Sequence, residues 1–157
     1  MRNKKLKIIV LILGIIVLSL IIFTIVTYNR SLEIKRENIE KIGLKIVVGN
    51  KEYPVKLVNN DTVLSIQKRI PLTTYFTKYE DCLYFAKLDD KITVDGEIVS
   101  KVEAKGIYYH VGWNSVVIAY KEYTFNKQKL VYLGSIEKNI TNKSSIMEIT
   151  IDTNKKD

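Results

Sequence analysis

The chain opens on an apolar stretch, Ile8 to Val26, interrupted only by Gly14, Ser19 and Thr24, none of them charged. As a helix, at about 1.5 Å rise per residue, it spans roughly 29 Å, close to the hydrocarbon thickness of a bilayer. A core helix of a soluble domain would show a polar face, and this stretch has none. Ser31 to Ile42 is charged, with Leu32, Ile39 and Ile42 spaced along one helical face. It is too short to be stable alone, so a helical stalk and a loose tether both fit it.

From Leu44 the pattern switches to alternation. Leu44–Val48 and Tyr53–Val58 flank Gly49-Asn50-Lys51, which predicts a β-hairpin. Pro54 points to a strand start or an edge position. Asn59-Asn60-Asp61-Thr62 is a helix-start signal. Val63, Ile66 and Ile70 then predict a short amphipathic helix over 62–70, ended by Pro71. Strands are predicted at Leu72–Thr77, Cys82–Ala86, Ile107–Val111, Ser115–Tyr120, Leu130–Glu137 and Ile146–Ile151, all rich in β-branched and aromatic residues. Asn126–Lys129 reads as a hairpin tip. Residues 87–104 carry mixed charge, with a turn at Asp95-Gly96.

The pattern therefore predicts a mainly β fold with one or two short helices, preceded by a single transmembrane helix. Its parts are a basic tail (1–7), an anchor in the lipid bilayer (8–28), a stalk or linker (29–43), a β-barrel domain (44–152) and a disordered tail (153–157). Many short strands with one helix suit a closed barrel, which leaves no exposed edge. An immunoglobulin-like sandwich is the rival, but the chain has no Cys-Trp-Cys pattern.

Charge sets an expected orientation. Arg2, Lys4, Lys5 and Lys7 precede the apolar run, whereas Arg30, Lys35 and Arg36 follow it mixed with Glu33, Glu37 and Glu40. Positive charge resists translocation, so the N-terminus is expected in the cytoplasm and the domain outside it. The alternative, a cleaved signal peptide, would have an apolar region of about 7–15 residues and an A-x-A-like site, which does not follow here. The net charge is +8, but residues 1–30 hold five basic and no acidic residues, leaving +3 for the rest. The basic excess is thus mainly a topology signal, and no nucleic-acid partner is expected. Cys82 is the sole cysteine, so the domain is held by its core without an internal disulfide. In a strand it is expected to act as a small buried hydrophobe.

An ordered set of segments resembles the bacterial cyclophilin-like domain family. The segments are Lys45-Ile-Val-Val-Gly49, Leu57-Val-Asn-Asn-Asp-Thr62, Ile70-Pro71-Leu72, Tyr84-Phe85, Gly106-Ile-Tyr-Tyr109, Asn114-Ser-Val-Val-Ile-Ala-Tyr120 and Leu133-Gly134-Ser-Ile136. The resemblance implies a small cyclophilin-like barrel. Lys105-Gly106 stands where the family often has Gly-Asp. His110 stands where it often has tryptophan, with Trp113 three residues on.

Cyclophilins proper isomerise prolyl bonds with an arginine beside an apolar pocket. Arg69, beside Pro71, is the only arginine beyond residue 36, and no arginine motif of that kind surrounds it. His110 is the sole histidine and lacks a partner at triad or metal spacing. The tyrosines are numerous; such rings fit strands and a barrel core, and they could also line a groove for a peptide or glycan. Alternation places Tyr108 and His110 on one strand face and Tyr109 on the other. The expected ligand-binding set is Tyr84, Tyr108, Tyr109, His110, Trp113 and Arg69, with no catalytic residue, metal or cofactor. The leading expectation is a non-catalytic module binding a peptide, glycan or partner protein. The alternatives are a vestigial prolyl isomerase and a structural subunit of a membrane complex.

Overall fold

The computed structural model describes residues 2–41, 43–140 and 144–154. Ile42 of the expected stalk, Met1 and the tail 155–157 lie outside the described residues. The chain divides into two compact units, at Asn38 and Ile39. The first lies within helix α1 (Arg2–Lys41), which takes in the stalk segment as far as Lys41 and whose last three residues fall in the second unit. From Ile12 to Ser31 it is long and apolar enough to cross a membrane, and none of it is buried. Its hydroxyls fold back on the helix: Thr24 and Thr27 donate to the carbonyls of Leu20 and Phe23, and Ser19 to that of Ile16. Polar groups satisfied in this way are compatible with lipid.

The second unit is a closed barrel. A two-residue turn at Gly49-Asn50 joins β1 (Gly43–Val48) to β2 (Lys51–Leu57). Gly49 adopts φ +59 there, as such turns require. Helix α2 (Asp61–Gln67) follows. Its first turn is capped by Asn60, whose Oδ1 accepts the Val63 amide at 2.8 Å. It ends at Gln67, short of the predicted Ile70, because Arg69 and Ile70 switch to tighter bonds onto Ile66 and Gln67. Then come β3 (Leu72–Tyr79) and β4 (Leu83–Lys87). Two short strands, β5 (Ile98–Val99) and β6 (Lys101–Val102), lie in the mixed-charge stretch that reads only as loop. They are followed by β7 (Gly106–His110), β8 (Ser115–Ala119), β9 (Tyr123–Thr124), β10 (Leu130–Ile136) and β11 (Ile146–Asn154). β11 reaches Asn154, with Thr153 paired to Leu44, so the polar tail begins later than its composition implies.

Eight strands run β2-β1-β11-β3-β4-β8-β7-β10, and β10 returns to pair with β2. The first residues of β10 meet β5 and its last meet β2. A bulge between Tyr132 and Gly134 makes the change of partner possible. Gly134 sits there at φ +147, and a Cβ on it would lie 2.2 Å from the Lys56 carbonyl oxygen. Pro54 is mid-strand and not on an edge. Its carbonyl takes the Glu137 amide just beyond the last β2–β10 pair, so its missing N–H falls where that ladder ends.

Two apolar clusters result. The barrel interior holds Ile46, Phe76, Tyr84, Ile107, Tyr109, Val116, Ile118 and Ile149. The outer faces of β4, β7, β8 and β10 carry a second cluster, with Leu83, Tyr108, Val117, Ala119 and Leu130 covered by Val102 and Phe125. Every residue of β7 and β8 is therefore buried. Cys82 departs from its expected place. It is half-buried in the β3–β4 turn, where Glu80 and Asp81 take left-handed conformations. Asp81 fixes that turn through Lys78 at 2.6 Å, Lys121 at 2.8 Å and the Tyr120 hydroxyl at 3.1 Å.

Candidate functional site

Alternation along β7 separates the predicted residues. Tyr108 and His110 face outward and Tyr109 inward. On the outer face the His110 ring stacks on Trp113 at 4.0 Å and meets Phe125 edge-on at 5.2 Å. Trp113 also contacts Tyr79, Phe85 and Phe125. The Trp113 amide donates to His110 Nδ1 at 3.0 Å, so the ring proton sits on Nε2 and is directed at Gln128 Oε1. Burial lowers the His110 pKa, opposed by the Gln128 bond. Both ring nitrogens are engaged and the ring is neutral, which makes His110 a clamp on the Trp113 turn and leaves no free base.

Tyr84 and Tyr109 lie inside the barrel. The Tyr84 hydroxyl donates to the Ser144 carbonyl at 2.9 Å, and that of Tyr109 to Asn114 Oδ1 at 2.8 Å. Burial raises both phenol pKa values; at Tyr109 the Ile92 amide and the Arg69 charge oppose the rise. Arg69 is half-buried past α2, 3.8 Å from Asp90 and 3.5 Å from the Lys91 carbonyl. The six predicted residues therefore fall into three places: the inner core (Tyr84, Tyr109), the outer cluster (Tyr108, His110, Trp113) and the loop beyond α2 (Arg69).

Two cavities differ in kind. One, of about 20 Å³, lies within the barrel among Leu44, Ile46, Val63, Ile107 and Leu133. It has water-sized room but only apolar walls, and is a packing void. The other is an open groove of about 400 Å³ between the β5–β6 segment and the outer faces of β7 and β10. Tyr108 and Tyr132 line it, their rings 5.4 Å apart and tilted by 55°. Glu97, Lys101 and Glu103 form its polar rim. The Glu103 amide donates to the Tyr108 hydroxyl at 2.9 Å, which ties the rim to the floor. Gly106 lies under that phenol; a Cβ there would sit 2.4 Å from its hydroxyl oxygen. Burial raises the Tyr108 pKa and the bond from Glu103 opposes this; Tyr132, Glu103 and Glu97 raise it further. Of these residues only Tyr108 belongs to the set predicted from sequence. The rim is invisible there because 87–104 has no apolar period, and the alternation Glu97, Val99, Lys101, Glu103 is too charged to read as strand.

The rim segment is positioned by α2. Thr62 Oγ1 donates to the Asp95 carbonyl at 2.6 Å and accepts the Asp95 amide at 2.7 Å. Asn60 Nδ2 donates to the Tyr132 carbonyl at 3.2 Å, and Gly96 leaves room for that amide. The Asn-Asn-Asp-Thr stretch thus holds the helix, the β5 approach and the groove floor in one hydrogen-bonded unit. Among the described residues no group of three or more His, Cys, Asp or Glu is placed to hold a metal ion.

No curated protein matches the chain. A similar solved structure is the solution structure of a hypothetical protein from Archaeoglobus fulgidus, with a TM-score of 0.49 and 14% sequence identity, covering 71% of this chain and 93% of that one. The model of the cyclophilin-like family matches residues 46–153. That match takes in the barrel from β1 to β11 and most of the chain, which belongs to the cyclophilin-like family.

Proposed function

We propose that this protein is a membrane-tethered binding module whose groove over Tyr108 and Tyr132 receives an extended peptide segment of a partner. The observation that carries the reading is the groove itself. Its volume of about 400 Å³ lies within the range of ligand sites, roughly 300–1,000 Å³. Its aromatic floor offers contact area, and its rim supplies polar groups for orientation. In this reading α1 anchors the chain from the cytoplasmic side, and the barrel is displayed outside. The basic flank before the apolar run and the self-satisfied hydroxyls within it support that placement.

The test is a titration of the full chain in nonionic detergent with a mixed-sequence pentapeptide pool, read at the ring signals of Tyr108 and Tyr132. Both signals should shift, and Tyr132→Ala should weaken the response at Tyr108 at least tenfold. Ring signals unmoved at millimolar peptide would refute a peptide groove here.

A further inference from the structure

The rim of the groove carries unequal charge. Lys101 is held by Glu122 at 2.8 Å, and that pairing raises its pKa. Neither Glu97 nor Glu103 forms an ion pair within 4.0 Å among the described residues, and the Lys101 charge acts on Glu103 less than on Glu122. The groove therefore presents two carboxylates outside any ion pair among the described residues, with Lys101 turned to Glu122, on a domain whose overall charge is positive. Their reach into it is visible at Tyr108, whose phenol both carboxylates disfavour as an anion. Half-buried Tyr132 adds a ring to the same lining, and a ring face attracts a cation.

Building on the peptide reading above, we infer that the groove selects a basic side chain, a lysine or arginine of the partner, and seats its cation between Glu97 and Glu103 and against the Tyr132 ring. An aliphatic stem suits the aromatic floor, and the charged end suits the rim. Exposed ion pairs and a solvated cation–π contact are each modest, but together they predict about a tenfold preference for a basic over an isosteric apolar side chain.

The experiment uses the full chain in nonionic detergent and two capped pentapeptides, Ala-Ala-Lys-Ala-Ala and the same sequence with norleucine for lysine. Binding is read at the Tyr108 and Tyr132 ring signals. The lysine peptide should bind about tenfold tighter. Its advantage should shrink between roughly 50 and 500 mM salt and vanish in the double variant Glu97→Gln, Glu103→Gln. Both positions are exposed, so the fold should persist, as an unchanged unfolding temperature would verify. Equal affinities for the two peptides would overturn the cation inference and leave the groove standing. A lysine advantage that survives the double variant would also overturn it, by placing the cation elsewhere. Silence of both tyrosine signals to both peptides would overturn the groove and the inference together.

Discussion

Replacing Gly134 by alanine should damage the barrel far more than a methyl group's volume suggests. Gly134 stands at the bulge in the β7 ladder where the other edge of β10 exchanges β5 for β2, at φ +147. A Cβ there meets three backbone atoms: the Lys56 oxygen at 2.2 Å, the Leu57 Cα at 2.9 Å and the Lys56 carbonyl carbon at 3.1 Å. Backbone atoms cannot swing aside as a side chain can, so β2 and β10 must separate at the seam that closes the barrel. A strained non-glycine φ costs about 1–3 kcal/mol, and overpacking adds about 1–3 kcal/mol. A total near ~4 kcal/mol, for a unit of roughly 120 residues, lowers the unfolding temperature by roughly 15 °C. Gly49→Ala is the control. It also has a positive φ, +59, but nothing lies within 4 Å of its Cβ position. Only the conformational cost applies there, about 1 kcal/mol or roughly 4 °C. The assay is thermal unfolding of both variants in the same micelles, followed by near-ultraviolet circular dichroism. Equal shifts would show that the close approach of Gly134 to β2 contributes nothing, and would refute closure of the barrel through that residue.

Two further outcomes follow from the same geometry. Burial holds the His110 pKa below its ordinary 6.5, so on acidification the unfolded chain takes up a proton before the folded one does. Its contribution is full above about pH 6.5 and falls as pH drops through that value, by at most about 1.4 kcal/mol per pH unit; unfolding temperatures at pH 7.5 and 5.5 should differ less in His110→Phe than in the unaltered protein. Asn60→Ala removes both the α2 cap and the bond to the Tyr132 carbonyl, at about 2–3 kcal/mol. Asn60→Asp keeps the cap but cannot donate, so denaturant unfolding should place it between the two, and a loss equal to that of alanine would count against the cap.

The parts legible from sequence alone are those governed by neighbours along the chain. The apolar run from Ile8 fixes a helix of membrane-spanning length, because its pattern has no polar side to bury against anything. Gly49-Asn50, the Asn60 cap and the longer strands are likewise local, set by backbone preference and by period. The ordered segments from Lys45 to Ile136 also carried the family. Tertiary contact decided the rest. Tyr84 and Tyr109 fit a groove or a barrel core by residue type, and barrel closure turns them inward. Gly106–His110 and Ser115–Ala119 lack a polar face because a second apolar layer, contributed by Val102 and Phe125 from distant segments, covers their outer side. The groove arises from that same layer. Its rim comes from residues 97–103, a charged stretch with no period, positioned by the Thr62 bond to Asp95 just before it and held over β7 and β10 by the Glu103 bond to Tyr108 and the Tyr132 bond to Glu97, which no local pattern encodes.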